Sequence, residues 1–143
     1  MKTIINTKNA PAPIGPYSQA VATAGLLFVS GQIPTNPSTG EVITTGITDE
    51  AKQVMENLKG VLDEAGVGFD SIIKTTIFLT DMQTFAQVNE VYGSYFTANF
   101  PARETVQVAG LPKGVNVEIS AIALKPWISK NWTVKLFKHP SSI

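Results

Sequence analysis

Apolar residues recur along this chain at two different periods. Over residues 51–65, Ala51, Val54, Met55, Leu58, Val61, Leu62 and Ala65 follow the i, i+3, i+4, i+7 spacing of one helical face, which predicts a helix. Thr48 is placed to cap its start, Asp49 and Glu50 suit the positive end of its dipole, and Gly66 suits its C-terminal stop. Over 84–96, Phe85, Val88, Tyr92, Tyr95 and Phe96 form a second stripe and predict a second helix. Strand patterns fill most of the remainder. Residues 72–79 are rich in β-branched and aromatic side chains. The stretch from Gln19 to Val29 alternates, then turns continuously apolar, with a break at Ala24-Gly25; it predicts a hairpin of strands 18–24 and 26–32. Residues 2–6 read as a short edge strand, and 103–109 and 115–124 as two final strands joined through Leu111-Pro112-Lys113-Gly114. The simplest pairing of those last two is a hairpin. Pro11, Pro13 and Pro16 make 8–16 an ordered loop, and 34–46 is a loop by its Thr, Asn, Pro and Gly content.

The resulting order, β-β-β-α-β-α-β-β, predicts an α+β fold: one domain with a mixed sheet of about six strands and both amphipathic helices packed on one face. The second sheet face then needs a partner. In the last strand Val115, Val117, Ile119, Ala121 and Ala123 occupy one face, while Asn116, Glu118, Ser120, Ile122 and Leu124 occupy the other. A partly apolar second face on a small single-layer domain predicts association with further copies. Residues 1–125 carry these patterns. Over 126–143 the character changes, with Trp127, Trp132, Leu136 and Phe137 close together. That segment is either an added packing element or a tail foreign to the domain.

Composition narrows the chemistry. The chain has 143 residues, 43% apolar and 15% charged, with eleven basic side chains balancing eleven acidic ones. Such a chain buries a real core, and its even charge provides no broad field for nucleic acid or an anionic membrane. There is no cysteine, which excludes disulfides, thiolate nucleophiles, iron–sulfur clusters and cysteine zinc sites. With a single histidine, His139, close to the C-terminus, neither a Ser–His–Asp triad nor a multi-histidine metal centre has the parts it needs. No secretion signal is recognisable at the N-terminus, so a cytoplasmic location is expected. An enzyme of this composition works with carboxylates, hydroxyls, backbone groups, ten lysines and one arginine.

That arginine, Arg103, opens a strand directly after Phe100-Pro101-Ala102. Solvation alone would be served by lysine, whereas a guanidinium presents a rigid fork that grips a carboxylate in a partly dry place. The structural alternative is an ion pair with Glu104 or with a neighbouring chain. Glu118 lies mid-strand between Val117 and Ile119, where burial would raise its pKa toward general acid/base use; the alternative is a solvent-facing side chain. A simple hairpin about 111–114 would put Arg103 opposite a residue near 122, on the order of 13 Å from Glu118. The two could then share a site only around a small ligand, through a bulge, or across a boundary between subunits. Tyr17 stands in the stiff loop Ile14-Gly15-Pro16-Tyr17-Ser18 as a site wall or as a core residue, and Ser30-Gly31 ends a strand where the backbone can come close to a ligand or simply turn.

Four segments, taken together, identify a likeness. Ile14-Gly15-Pro16-Tyr17-Ser18-Gln19, Ser30-Gly31-Gln32-Ile33-Pro34, Phe100-Pro101-Ala102-Arg103 and Leu111 through Ile119 resemble, in order and separation, the RidA family of enamine/imine deaminases, over about residues 2–125. The resemblance implies a chorismate-mutase-like fold, a homotrimer whose sheets form a central barrel, and ligand clefts between subunits. It implies that Arg103 grips a substrate carboxylate, that Glu118 places a water, and that Tyr17, the Ser30-Gly31 backbone, Asn89 and Thr105 line the cleft, with no metal and no cofactor. The expected reaction is hydrolysis of 2-aminoacrylate-type enamines or their imines to 2-keto acids and ammonia. A non-enzymatic, carboxylate-sensing or regulatory protein using the same clefts is the rival expectation, and RNA cleavage is a third that the even charge disfavours. The sequence departs from the family pattern at Glu104, where a small residue is common, at Thr105 for cysteine, at Gly110 for arginine and at Ser120 for a second glutamate. Thr105 matters little if its backbone makes the contact; the other three bear on substrate range.

Overall fold

In the computed structural model, which describes residues 1–126, the first apolar stripe forms helix α1 over Ile47–Ala65. Its start lies upstream of the expected cap: Gly46 is the N-cap residue, no side chain caps it, and Thr48 sits inside the first turn. Gly66 ends the helix in the left-handed conformation, φ 76°, at little steric cost to glycine. Val54, Met55, Leu58, Val61 and Leu62 are all fully buried, and truncating Met55, Leu58 or Leu62 to alanine would cost about 2–5 kcal/mol. Helix α2, Phe85–Gly93, is shorter than its stripe. Ser94 Oγ donates to the Val91 carbonyl, and the chain bends away there, although Tyr95 and Phe96 still pack against the core.

The strands are β1 (Thr3–Ile5), β2 (Ala20–Thr23), β3 (Leu26–Gln32), β4 (Ile72–Leu79), β5 (Ala102–Gln107) and β6 (Val117–Leu124). They form one sheet in the order β1-β2-β3-β6-β4-β5. This is the α+β, mixed-sheet domain expected of a chorismate-mutase-like fold. One expectation fails. Strands β5 and β6 do not form a hairpin: β6 lies antiparallel between β3 and β4, and β5 runs parallel to β4 at the sheet edge. The β4–α2–β5 segment closes as a crossover unit, so the short Pro112–Gly114 turn returns the chain past β4 rather than back along β5.

The sheet's two faces differ sharply. Val117, Ile119, Ala121 and Ala123 of β6 join Leu27, Val29, Ile77 and Leu79 in the core beneath the helices. On the opposite face the register aligns Ile4, Val21, Phe28, Ile122, Lys74 and Ala102 in one row across all six strands. Ile4, Phe28, Val106 and Leu124 are exposed apolar residues on strands of this sheet. No helix among the described residues is long and apolar enough to cross a membrane. The expected extension over 126–143, His139 included, lies outside the described residues except for Pro126.

Candidate active site in two halves

Arg103 projects from edge strand β5 toward the helix face, because its register partner Thr75 is a core residue whose hydroxyl shares a 2.8 Å hydrogen bond with the Tyr92 hydroxyl of α2. Three residues of α2, spaced one turn apart, hold the guanidinium. Nη1 donates to Asn89 Oδ1 at 2.7 Å, and the guanidinium carbon lies 5.4 Å from the Phe85 ring centre and 5.1 Å from that of Tyr92. Positions 85, 89 and 92 recur about one turn apart, so the three side chains share one face of α2 and all reach the same guanidinium. The expected alternative, an ion pair with Glu104, does not form. Glu104 points to the other sheet face, where Lys74 Nζ lies 3.0 Å from its carboxylate and lowers the carboxyl pKa. Thr105 shares the Arg103 face, and its hydroxyl is buried without a hydrogen-bond partner among the described residues. With Met82 and Phe85 it joins Arg103 around a cavity of about 360 Å³.

Glu118 belongs to a different place. It pairs in register with Phe78 and projects from the face opposite the helices, so within one chain Arg103 and Glu118 lie on opposite sides of the sheet. They do not meet, as expected, but the cause is this sidedness and not distance along a hairpin. Half-buried Glu118 has its carboxyl pushed above the usual range by desolvation. It lies directly over Gly31: a Cβ built on Gly31 would stand 2.6 Å from Glu118 Oε2. Gly31 is therefore required by space rather than by a left-handed φ. Buried Glu50 on α1, read from sequence as a dipole partner, instead accepts hydrogen bonds from the Asn116 backbone and side-chain amides at 3.0 and 2.8 Å, which pins the segment two residues ahead of Glu118.

Tyr17 is 55% exposed, which excludes the core reading, and its hydroxyl accepts from Ile14 N–H at 3.4 Å. Tyr17, Gly31, Gln32 and Thr35 line a small cavity of about 50 Å³, where the buried Thr35 hydroxyl lacks a partner among the described residues; the space and polarity suit a water molecule. Ser30 is tied up within the chain: its hydroxyl donates to the Ser18 carbonyl at 2.6 Å, its N–H donates to the Gln19 carbonyl at 2.9 Å, and its carbonyl accepts from Gln32 Nε2 at 3.0 Å. The expected residues thus fall into two sets: Arg103, Asn89 and Thr105 on one side, Glu118, Gly31, Tyr17 and Ser30 on the other. Sequence reading missed Phe85 and Tyr92 as holders of the guanidinium, although their spacing to Asn89 on one helical face carried that signal. No group of three or more His, Cys, Asp or Glu among the described residues could hold a metal ion.

Comparison with known proteins adds an independent result. The endoribonuclease L-PSP family model matches residues 7–125. A RutC family protein of Pyrococcus horikoshii is 51% identical over 125 residues, covering 87% of this chain and 99% of that protein. The 2-iminobutanoate/2-iminopropanoate deaminase of Homo sapiens is 46% identical over 125 residues, 87% of this chain and 91% of that one. A solved Rid-family structure from Yersinia pestis superposes with a TM-score of 0.85 at 50% identity, covering 87% of this chain and 99% of that one.

The chain belongs to the RidA family. For a RidA-family domain, the Gly31–Glu118 contact makes a specific prediction. Alanine at position 31 meets the end of a flexible side chain, so Gly31→Ala is expected to displace the Glu118 carboxylate and leave the fold intact. If Glu118 places the water as the resemblance implies, imine hydrolysis should fall by up to about a hundredfold, the loss that a misplacement of about an ångström can cause. A thermal melt beside the rate measurement checks this; wild-type turnover in a folded Gly31→Ala protein would contradict it.

Proposed function

We propose that the chain is a hydrolytic deaminase of reactive 2-imino acids and their enamine tautomers, such as 2-aminoacrylate, releasing a 2-keto acid and ammonia. The observation that carries this reading is the guanidinium of Arg103, held on one edge and flanked by two rings, beside a cavity of small-molecule size. Fixed in this way, it orients a carboxylate bidentately at little entropic cost. The similarity to proteins named 2-iminobutanoate/2-iminopropanoate deaminase supports the same substrate class.

In the proposed reaction Glu118 takes a proton from water as the oxygen bonds to the C=N carbon. That proton is delivered to the nitrogen, giving a tetrahedral adduct that carries hydroxyl and amino groups; Glu118 then takes the hydroxyl proton, the nitrogen gains this second proton as the C–N bond breaks, and ammonia leaves while the carbon becomes the keto carbonyl. Because Arg103 and Glu118 emerge from opposite sheet faces, we place the complete site between copies of the chain, in a homotrimer whose second sheet faces enclose a barrel. A carboxylate sensor would use Arg103 equally well. The half-buried carboxylate at Glu118 favours hydrolysis, since a second negative group gains nothing in simple anion binding. An RNA-cleaving role, suggested by the name of the family model, gains no support from the chain's balanced charge.

The deciding experiment generates imine in situ with an amino acid oxidase and follows keto-acid release. Acceleration by the purified protein is expected. Carboxylate binding without acceleration would establish the sensor instead.

A further inference from the structure

Glu50 is a buried carboxylate for which the proposed reaction has no direct use. It lies in the first turn of α1, is 3% exposed, and enters no salt bridge among the described residues. Burying an anion without a cation is costly unless donors fill its oxygens. Here both donors come from one residue: Asn116 gives its backbone N–H to Oε1 at 3.0 Å and its side-chain amide to Oε2 at 2.8 Å. Two donors converging on one side chain require an acceptor-only group, and glutamine would set its own amide against one of them. From the other side Thr80, which directly follows β4, donates its N–H to the Asn116 carbonyl at 3.2 Å and its hydroxyl to Asn116 Oδ1 at 3.1 Å. All four polar groups of Asn116 are thus held, two by α1 and two by the end of β4.

That grip bears on Glu118, two residues further on. Strand β6 begins at Val117, so Glu118 stands near the end of the ladder, where pairing alone holds a strand least firmly. On one side it pairs with Phe78 of β4. On the other, the register with β3 jumps between Val29 and Gln32, so Ser30 and Gly31 have no register partner on β6, and Glu118 packs on Gly31 with no space left for a Cβ. Upstream, Lys113 and Gly114 both take left-handed backbone, φ 57° and 66°, which is unfavourable for lysine and persists only where the surroundings fix it. We infer that Glu50 is a positioning residue for hydrolysis: through Asn116 it fixes the entry of β6 and so holds the Glu118 carboxylate in place against Gly31. The inference rests on the deaminase reading above and adds to it a residue that touches no substrate.

The test follows keto-acid release from the imine of alanine, generated by an amino acid oxidase, beside a thermal melt of each variant. Glu50→Gln keeps the size of the side chain but turns a donor toward a donor. It should lower kcat about tenfold or more and leave KM within about twofold, because the Arg103 side of the site, built on α2 and β5, is untouched. Combining Glu50→Gln with Asn116→Asp reverses one hydrogen bond, the new amide donating to the new carboxylate, and should return kcat to within about threefold of wild type. Asn116→Ala, at an exposed position, removes one donor and keeps the backbone one. It should lower kcat about threefold or more at constant KM, and it carries the test if Glu50→Gln does not fold. A lower melting temperature with unchanged kcat in the folded variants would make Glu50 a structural residue and overturn the inference. A parallel change in kcat and KM would overturn it too, as would a double variant that regains the wild-type melt without the rate. Absence of acceleration by wild type is a separate result, which overturns the deaminase reading and the inference with it.

Discussion

Arg103→Ala is expected to reduce keto-acid release from small imines by about thirtyfold to a few thousandfold, because loss of a bidentate, charge-assisted contact costs about 2–5 kcal/mol and each 1.4 kcal/mol is tenfold. Arg103→Lys tests the reason. Lysine keeps the charge but has no planar fork to lie between Phe85 and Tyr92 or to present two parallel donors, so it should recover little of the rate. The fold should survive either change, since the side chain is only partly buried and its cation–π contacts are worth about 1 kcal/mol each. Asn89→Ala separates holding from gripping. Its guanidinium remains charged but loses the 2.7 Å contact that orients it, so KM should rise while kcat changes less. Near-normal hydrolysis in the alanine variant at position 103 would remove the basis of the proposed function.

Glu118→Gln is the second large effect. A neutral amide cannot accept the proton of the attacking water, and the rate should fall by about 10²–10⁴, the range for a positioned general base. Its pH signature follows from burial. Desolvation raises the Glu118 carboxyl above the ordinary 4.5, so activity should increase with pH along a limb displaced above that value, and the limb should disappear in Glu118→Gln. Stability should move oppositely. Between the unfolded and the raised folded pKa the native state holds the proton more firmly, so this group favours folding at low pH, and its contribution is lost as pH rises through the folded pKa. Glu118→Gln should therefore melt higher than wild type at neutral pH and converge with it in acid. A variant that is both inactive and less stable at neutral pH would show that Glu118 is a structural residue.

The parts of this molecule legible in the sequence were those with strong local periodicity. Helix α1 and strand β4 follow directly from residues 51–65 and 72–79, because a long apolar stripe leaves one way to bury itself. The pairing of the last strands was not legible. Leu111 to Gly114 is a short polar turn of the kind that joins hairpins, and only the tertiary requirement that β4, α2 and β5 form a crossover unit places β4 between its two arms. Among the site residues, Arg103 stood out as the sole arginine, and Glu118 as an acid within an apolar strand. Phe85 and Tyr92 passed for core residues because the same helical stripe that meets the sheet also grips the guanidinium. The role of Glu50 was hidden because its partner, Asn116, is 66 residues away in the chain.

The sidedness of the sheet provides the most direct test. Arg103→Ala and Glu118→Gln chains, each inactive alone, are co-expressed and purified as mixed assemblies. If each site draws its guanidinium from one copy and its carboxylate from the next, random assembly restores about a quarter of the sites, and imine hydrolysis returns to about that fraction of wild type. Mixed assemblies as inactive as either parent would show that both groups act from a single chain, which the opposed faces of this sheet do not allow.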